Sequence, residues 1–281
     1  MPAPLAPSIL DLDDLAARVP DGATVAVIKE PFAPMALARA LAARGTRNLH
    51  LVTAPTSGLL ADMLIGAGCV GTIETSGVSL GEFGPAPFFA EAVKSGAVAI
   101  RDATCPAVYA ALQAGEKGIP FMPIRGLLGS DVLASRPDFK VIDNPFEDGG
   151  DPIVLLPAIR PDVALLHVPL ADTRGNAWVG NRHEARMVAH AARRTLITAE
   201  RITDANLVED PDKSPNLITA LYVDAIAEAP GGSWPLAAPG HYARDDDAVR
   251  AYAAAARTAS RGGVGADWMA PLIPGRREAA E

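Results

Sequence analysis

The chain alternates short apolar runs with segments whose apolar residues return every three or four positions. The runs of strand length are Ala23–Ile28, Leu49–Thr53, Val70–Thr75, Ala97–Ile100, Ile153–Leu156, Val163–Val168 and Thr195–Ala199. Several are almost continuously apolar, the pattern of a strand covered on both faces. Between them, Ser8–Arg18, Met35–Arg44, Leu59–Gly66, Ala86–Ser95, Pro106–Ala114 and, later, Asp245–Arg257 read as helices. Ser8 is placed to cap the first, Pro34 suits the first turn of the second, and Gly45 and Gly96 follow last turns. Gly118–Arg125 reads as extended and residues 126–151 as irregular. Strands alternating with helices predict an α/β fold: an open, largely parallel sheet flanked by helices. With no tandem repeat or low-complexity linker inside, the expectation is one domain over residues 1–257 and a weakly held tail over 258–281.

The stretch from Pro161 to Ile202 shows the pattern most clearly. Val163–Val168 is a strand, Ala171–Asn176 a polar turn, and a helix-length segment leads to the strand Thr195–Ala199. Strand, loop, helix and strand in this order form a βαβ unit.

Composition narrows the class. Among 281 residues only 5% are aromatic, so Ala, Val, Leu and Ile must build the core. The 33 acidic against 25 basic residues give a net charge of −8, which argues against a nucleic-acid surface. The two cysteines, Cys69 and Cys105, are too few for a disulfide framework or zinc cluster and read as buried free thiols. The N-terminus lacks the basic and apolar regions of a signal peptide, and no apolar run reaches the ~18 residues of a membrane span. The expected compartment is the cytoplasm.

Candidate chemistry lies at strand exits. The first exit, Ile28–Pro34, has no glycine-rich phosphate loop, and its Lys29 and Glu30 read as a surface ion pair. No G-x-S-x-G elbow is present, and the five histidines are scattered. His183 and His190, with Arg182, Arg186 and Arg193, form the polar face of one helix, either a solvated or subunit-facing surface or an anion site. Residues 74–87 are rich in small residues and carry Ser76, Ser79 and Glu82, which fits either close approach to a ligand or a glycine-rich turn. Arg125 ends an apolar strand, where it clamps a substrate carboxylate or makes a salt bridge with Asp131 or Asp102.

Segments in a fixed order carry a family resemblance. They are LIGAGCV (64–70), VSLGEFGPAPFF (78–89), GIPFMPIRGLLGSD (118–131), NPF (144–146), PAIRPDVALLHVPLADTRGNAW (157–178), TAERI (198–202) and VDAIAEAPGGSWP (223–235). Over residues 15–257 the chain resembles the A (α) subunits of family I coenzyme A transferases, the group of glutaconate CoA-transferase. That resemblance implies one open α/β domain in each subunit, with a reaction through an acyl–glutamyl anhydride and a glutamyl-CoA thioester. The glutamate belongs to the B (β) subunit. Here the counterpart loop, Thr53–Gly58, holds no carboxylate, so no catalytic residue is expected on this chain and a separate B subunit completes a heterodimer or heterotetramer. CoA and acyl-CoA enter as substrates, with no cofactor or metal. Ser79, Glu82 and Arg125 are the expected substrate-binding residues, and Asn176 is expected to fix a turn.

Two features depart from the family. Its A (α) subunits carry a Gly-Gly pair after the first strand, where this chain has Ile28–Lys29. Relatives that hydrolytically open a ring of a CoA thioester carry acidic residues near Asp102 to Cys105; here Asp102 remains and Cys105 replaces a carboxylate. That replacement weakens the likeness to these relatives, and a ring-opening or thioester-cleaving hydrolase subunit stands as the alternative. A non-catalytic ligand-sensing module is a further one, but only about twenty residues precede the first strand, too few for a DNA-binding helix-turn-helix.

Overall fold

The computed structural model describes residues 7–262 and 267–274. In chain order its strands are β1 (Ser8–Leu10), β2 (Thr24–Ile28), β3 (Leu49–Ala54), β4 (Val70–Thr75), β5 (Ala99–Asp102), β6 (Phe121–Ile124), β7 (Lys140–Asp143), β8 (Pro152–Pro157), β9 (Val163–Val168), β10 (Leu170–Asp172), β11 (Ala177–Trp178), β12 (Arg194–Ala199), β13 (Ile202–Thr203), β14 (Leu217–Ile218) and β15 (Ala225–Glu228). The helices are α1 (Leu12–Ala17), α2 (Met35–Arg44), α3 (Leu59–Gly66), α4 (Pro87–Ser95), α5 (Cys105–Lys117), α6 (Asp131–Ser135), α7 (His183–Ala191) and α8 (Asp246–Ala259).

Eight strands form one sheet in the order β1-β15-β12-β9-β2-β3-β4-β5. Every pairing in it is parallel, as continuous apolar runs predict. Alternate residues of each strand face opposite sides. Val25, Val27, Leu51 and Leu165 join a core with residues of α1, α2, α3 and α8, while Ala26, Ile28, Val52 and Leu166 join a second core under α5 and α7. The predicted βαβ unit is present: β9 and β12 pair in parallel over all six residues. Its connection carries β10 and β11, which join β13 and β14 from beyond β12 in a small sheet of order β13-β10-β11-β14. At the turn, the Asn176 side chain donates to Asp172 at 2.9 Å and accepts from the Ala220 N–H at 3.0 Å, so it does fix the turn.

Three local expectations are corrected. Ser8 does not cap a helix: Ser8–Leu10 adds a parallel strand beside Ala225–Ala227, and Asp11 caps α1 by accepting the Asp14 N–H at 2.7 Å. A three-residue strand carries no period of its own, and its partner lies more than two hundred residues away. Residues 126–151 are not wholly irregular, because α6 and β7 lie there, β7 joining the antiparallel sheet β6-β8-β7. Order also continues past residue 257. α8 runs to Ala259, the Trp268 ring sits 4.7 Å from that of Phe88, and Leu272 is fully buried in the first core. The rest of the expected tail, 263–266 and 275–281, lies outside the described residues.

Candidate active site

The sheet changes direction of growth at β2, with β9, β12 and β15 on one side and β3, β4 and β5 on the other. In open parallel sheets the crevice outside the carboxyl ends of the strands at such a point is where ligands bind. The loops leaving β2, β3 and β4 meet there. The Ser57 N–H donates to the Gly77 carbonyl and the Ser79 N–H to the Ser57 carbonyl, each at 3.2 Å. Inside, the Thr53 hydroxyl reaches Thr75 Oγ1 at 2.6 Å. A Cβ on Gly58 would lie 2.7 Å from the Ser79 carbonyl oxygen, so only glycine fits between these loops.

Glu30 faces the same spot, its Oε1 3.5 Å from the place a Gly58 Cβ would take. The Lys29–Glu30 ion pair expected from the sequence does not form among the described residues: Lys29 is exposed and Glu30 half-buried. Burial pushes the Glu30 carboxyl above its ordinary range; Arg244 opposes this and Glu82 adds to it. The loop that carries Glu30 is held from behind. Phe32 is buried with φ +61°, a left-handed conformation unusual for a bulky side chain, and its N–H donates to the Ala237 carbonyl at 3.0 Å.

Ser79 and Glu82 stand at this mouth. Ser79 is exposed and its Oγ accepts the Gly81 N–H at 3.1 Å, leaving its own O–H proton unused in that bond. The exposed Glu82 pairs with Arg244, whose Nε also donates to Asp246 at 2.6 Å. Arg125 stands apart, following β6 in the three-stranded sheet, where it is gripped by both oxygens of Asp151 rather than by Asp131 or Asp102. Asn144 donates to the same Asp151 at 2.7 Å. Cys69 is buried as expected, but Cys105 is not: it opens α5 exposed, its Sγ 3.1 Å from Ser76 Oγ.

Behind the β9 and β12 ends lies a buried polar network. His167 Nε2 sits 2.8 Å and Tyr242 OH 2.5 Å from Glu200 Oε1, and the Gly231 N–H donates to Oε2 at 2.8 Å. Burial alone would raise the Glu200 pKa, but the His167, Tyr242 and Gly231 hydrogen bonds outweigh it and hold it at about 2. Tyr242 also accepts the Ser233 N–H at 2.9 Å, and the Ala36 N–H donates to the Gly232 carbonyl at 2.8 Å. Residues 231–242 are thereby fastened against the Glu30 loop.

A second buried cluster lies under α5. Arg136 donates to Glu74 at 2.7 Å, to both oxygens of Asp138 and to the Asp102 carbonyl, while Arg101 bridges Glu74 and Asp138. Burial pushes the Glu74 pKa up, and the nearness of His50, Arg136 and Arg101 more than offsets it, so Glu74 is held low. These groups line a cavity of about 220 Å³. Every Arg136 nitrogen is already spent on an acceptor, which makes the cluster a joint between the main and three-stranded sheets.

Residues 9–229 match the family described as coenzyme A transferase. The chain belongs to that family. Among its curated members it is 34% identical over 249 residues to the A-type subunit of the 3-oxoadipate CoA-transferase of Pseudomonas knackmussii, covering 85% of this chain and 84% of that one. It is equally 34% identical, over 260 residues, to the IpdA subunit of a cholesterol ring-cleaving hydrolase of Mycobacterium tuberculosis, covering 88% and 87%. Two solved structures are similar in fold. Glutaconate coenzyme A-transferase from Acidaminococcus fermentans superposes with TM-score 0.81 at 27% identity, covering 89% of this chain and 84% of that one. The decarboxylase AibA/AibB superposes with TM-score 0.80 at 30% identity, covering 95% and 98%. Coenzyme A transferases are enzymes, and no helix among the described residues is long and apolar enough to cross a membrane.

Sequence reasoning missed Glu30, Arg244 and the His167–Glu200–Tyr242 network. For Glu30 a signal existed, since a carboxylate stands two residues past a buried strand, but adjacent Lys29 invited the ion-pair reading. Arg244 sits in an acidic stretch, RDDD, that reads as a solvated helix start.

Proposed function

We propose that this chain is the A (α) subunit of a heteromeric CoA transferase that moves CoA between an acyl-CoA and a carboxylic acid. The observation that carries this reading is the β3 exit. Thr53–Gly58 holds no carboxylate, and the Gly58 position is too tightly packed against the Ser79 carbonyl to accept a side chain. A nucleophilic glutamate must then come from a B (β) subunit, which forms the anhydride and the glutamyl-CoA thioester. The 3-oxoadipate CoA-transferase relative is itself an A-type subunit, which supports the same division of labour. CoA and acyl-CoA are substrates, no further cofactor is invoked, and the assembly is a cytoplasmic heterodimer or heterotetramer.

This chain supplies an acyl-substrate wall. Ser79 offers a hydroxyl at the mouth, and Glu82 orients Arg244 there. Away from that mouth, on the three-stranded sheet, Arg125 offers a separate clamp for the second carboxylate of a diacid by exchanging Asp151 for it.

A second reading, a hydrolase that opens a ring or cleaves a thioester, is favoured by the equal likeness to the IpdA subunit. One experiment separates the two. The chain is co-expressed with its B subunit, then acetyl-CoA is supplied with a panel of acids. A new acyl-CoA in step with acetyl-CoA loss supports transfer; thioester loss without one supports hydrolysis. Activity of the lone chain would overturn the divided site.

A further inference from the structure

A chain of net charge −8 repels polyanions, so any phosphate it binds needs a local basic site. One such site lies between α4 and α8. Val249, Tyr252, Ala253 and Ala256 bury one side of α8, while Arg250 and Arg257 stand on an exposed stripe that Arg261 continues one turn on. Lys94, in the last turn of α4, is exposed beside them. A cavity of about 180 Å³ opens there, walled by Pro85, Pro87 and Ala90 and flanked by Lys94, Arg257 and Arg261. Among the described residues Glu91 is the one acid lining it, and none of the three cations forms an ion pair. Arg250 and Arg244 differ in this respect: Asp247 holds the first at 2.7 Å, and Glu82 and Asp246 share the second.

This cavity is continuous with the mouth. The Arg244 guanidinium lies over the Phe83 ring, 5.0 Å from its centroid, and that of Arg250 lies over the same ring at 5.7 Å. Pro85 and Pro87 follow Phe83 directly in the chain. From Asp246, which shares Arg244 at the mouth, to Arg257 the helix rises about 16 Å. In a CoA thioester about thirteen bonds separate the sulfur from the diphosphate, a little over four residues' worth of extended chain, or roughly 15 Å. A thioester placed between Ser79 and Glu82 therefore carries its phosphates to the level of Arg257. The carboxyl end of α8 bears partial negative charge there, but less than the three full positive charges around the cavity.

We propose that Lys94, Arg257 and Arg261 bind the phosphate groups of the CoA substrate, with its nucleoside against Pro85, Pro87 and Ala90. The proposal rests on the acyl-CoA reading above and adds to it a place on this chain for the nucleotide end of the substrate. Cations without acidic partners repel one another, and a polyanion is the ligand that removes this cost. An apolar wall beside a basic rim suits a base joined to phosphates, whereas a small inorganic anion would leave the Pro and Ala walls unused. Guanidinium groups also match phosphate oxygens bidentately.

The test is calorimetric titration of the complex with the B subunit by CoA, by pantetheine, which lacks every phosphate, and by pyrophosphate. Wild type is compared with the double variant Arg257→Ser, Arg261→Ser and with a control of equal charge, Arg47→Ser, Arg193→Ser, whose exposed arginines precede β3 and β12. Exposed ionic contacts are weak singly, so two are removed together. The double variant weakens CoA and pyrophosphate about tenfold and leaves pantetheine unchanged, and the control leaves all three unchanged. Equal CoA affinity in wild type and double variant, or an equal loss in the control, overturns the proposal and leaves the acyl-CoA reading standing. A wild-type complex that binds pyrophosphate through these arginines but not CoA refutes the acyl-CoA reading, and with it the assignment of CoA to this cavity, while the anion site itself survives. Binding of none of the three refutes both.

Discussion

His167 Nε2 lies 2.8 Å from Glu200 Oε1, with the imidazole wholly buried and the carboxylate nearly so. An ionised carboxylate only accepts, so the Nε2–H donates. The pair closes the ends of neighbouring strands β9 and β12 and, through Tyr242 and Gly231, holds the segment that backs the Glu30 loop. Room for it depends on Gly232, where a Cβ would come 2.5 Å from His167 Cε1.

The network makes stability depend on acid. The Glu200 pKa falls from an ordinary 4.5 to about 2 on folding. A depressed carboxyl contributes stability that is present above pH 4.5 and lost as pH falls toward 2, of order 3 kcal/mol. Urea titrations of wild type and Glu200→Gln from pH 7 to 3 should show the variant less stable at neutrality and the gap closing with acid. A gap that does not change with pH counts against the assignment.

Asp62 behaves in the opposite sense. It is wholly buried in α3 and accepts from the Phe89 N–H and the Tyr252 hydroxyl, both at 2.8 Å. Burial pushes its pKa up from 3.8 to about 6, although those hydrogen bonds pull it down. A raised carboxyl costs stability as pH climbs from 3.8 through about 6. Asp62→Asn, which preserves an acceptor for Phe89, should gain on wild type by about 1–3 kcal/mol between pH 4 and 8. Parallel pH profiles for the two proteins would refute this.

The Glu74–Arg136 pair, 2.7 Å apart and buried on both sides, is a joint that should fail when half of it is removed. Arg136→Met leaves Glu74 without its closest charge and should cost about 3–5 kcal/mol, while Arg136→Met with Glu74→Leu should recover part of that loss. Denaturant unfolding of both variants checks it. Equal losses in the single and double variants would show that the charges are not coupled.

Arg125 offers a test of the acid substrate. Its guanidinium is largely exposed but held by Asp151, so a substrate carboxylate competes with that side chain. In the complex with the B subunit, Arg125→Ala should raise KM for a diacid by about tenfold, and Asp151→Asn should lower it, with KM for a monoacid unchanged in both. A shared effect on both acids would make Arg125 structural.

Much of the scaffold is determined by the sequence alone. Apolar runs of five or six residues, bounded by Gly, Pro and Asp, dictate the buried parallel strands, and α2 and α3 fall at the predicted residues, because strand and helix periods are local properties. Asn176 was legible for the same reason, since its turn is made within five residues. What the sequence could not determine lies in pairings across long separations. Ser8–Leu10 becomes a strand only because β15 is there to pair with it. Cys105 opens α5 exposed beside Ser76, a residue 29 positions earlier, and Arg125 finds Asp151 rather than Asp131 because β6 and β8 run antiparallel. Glu30 differs from a surface carboxylate only through Gly58, Ser79, Glu82 and Arg244, residues 28 to 214 positions away that the sheet brings to one mouth. Burial and charge at a point are sums over everything folded around it, and those sums exist only once the tertiary structure does.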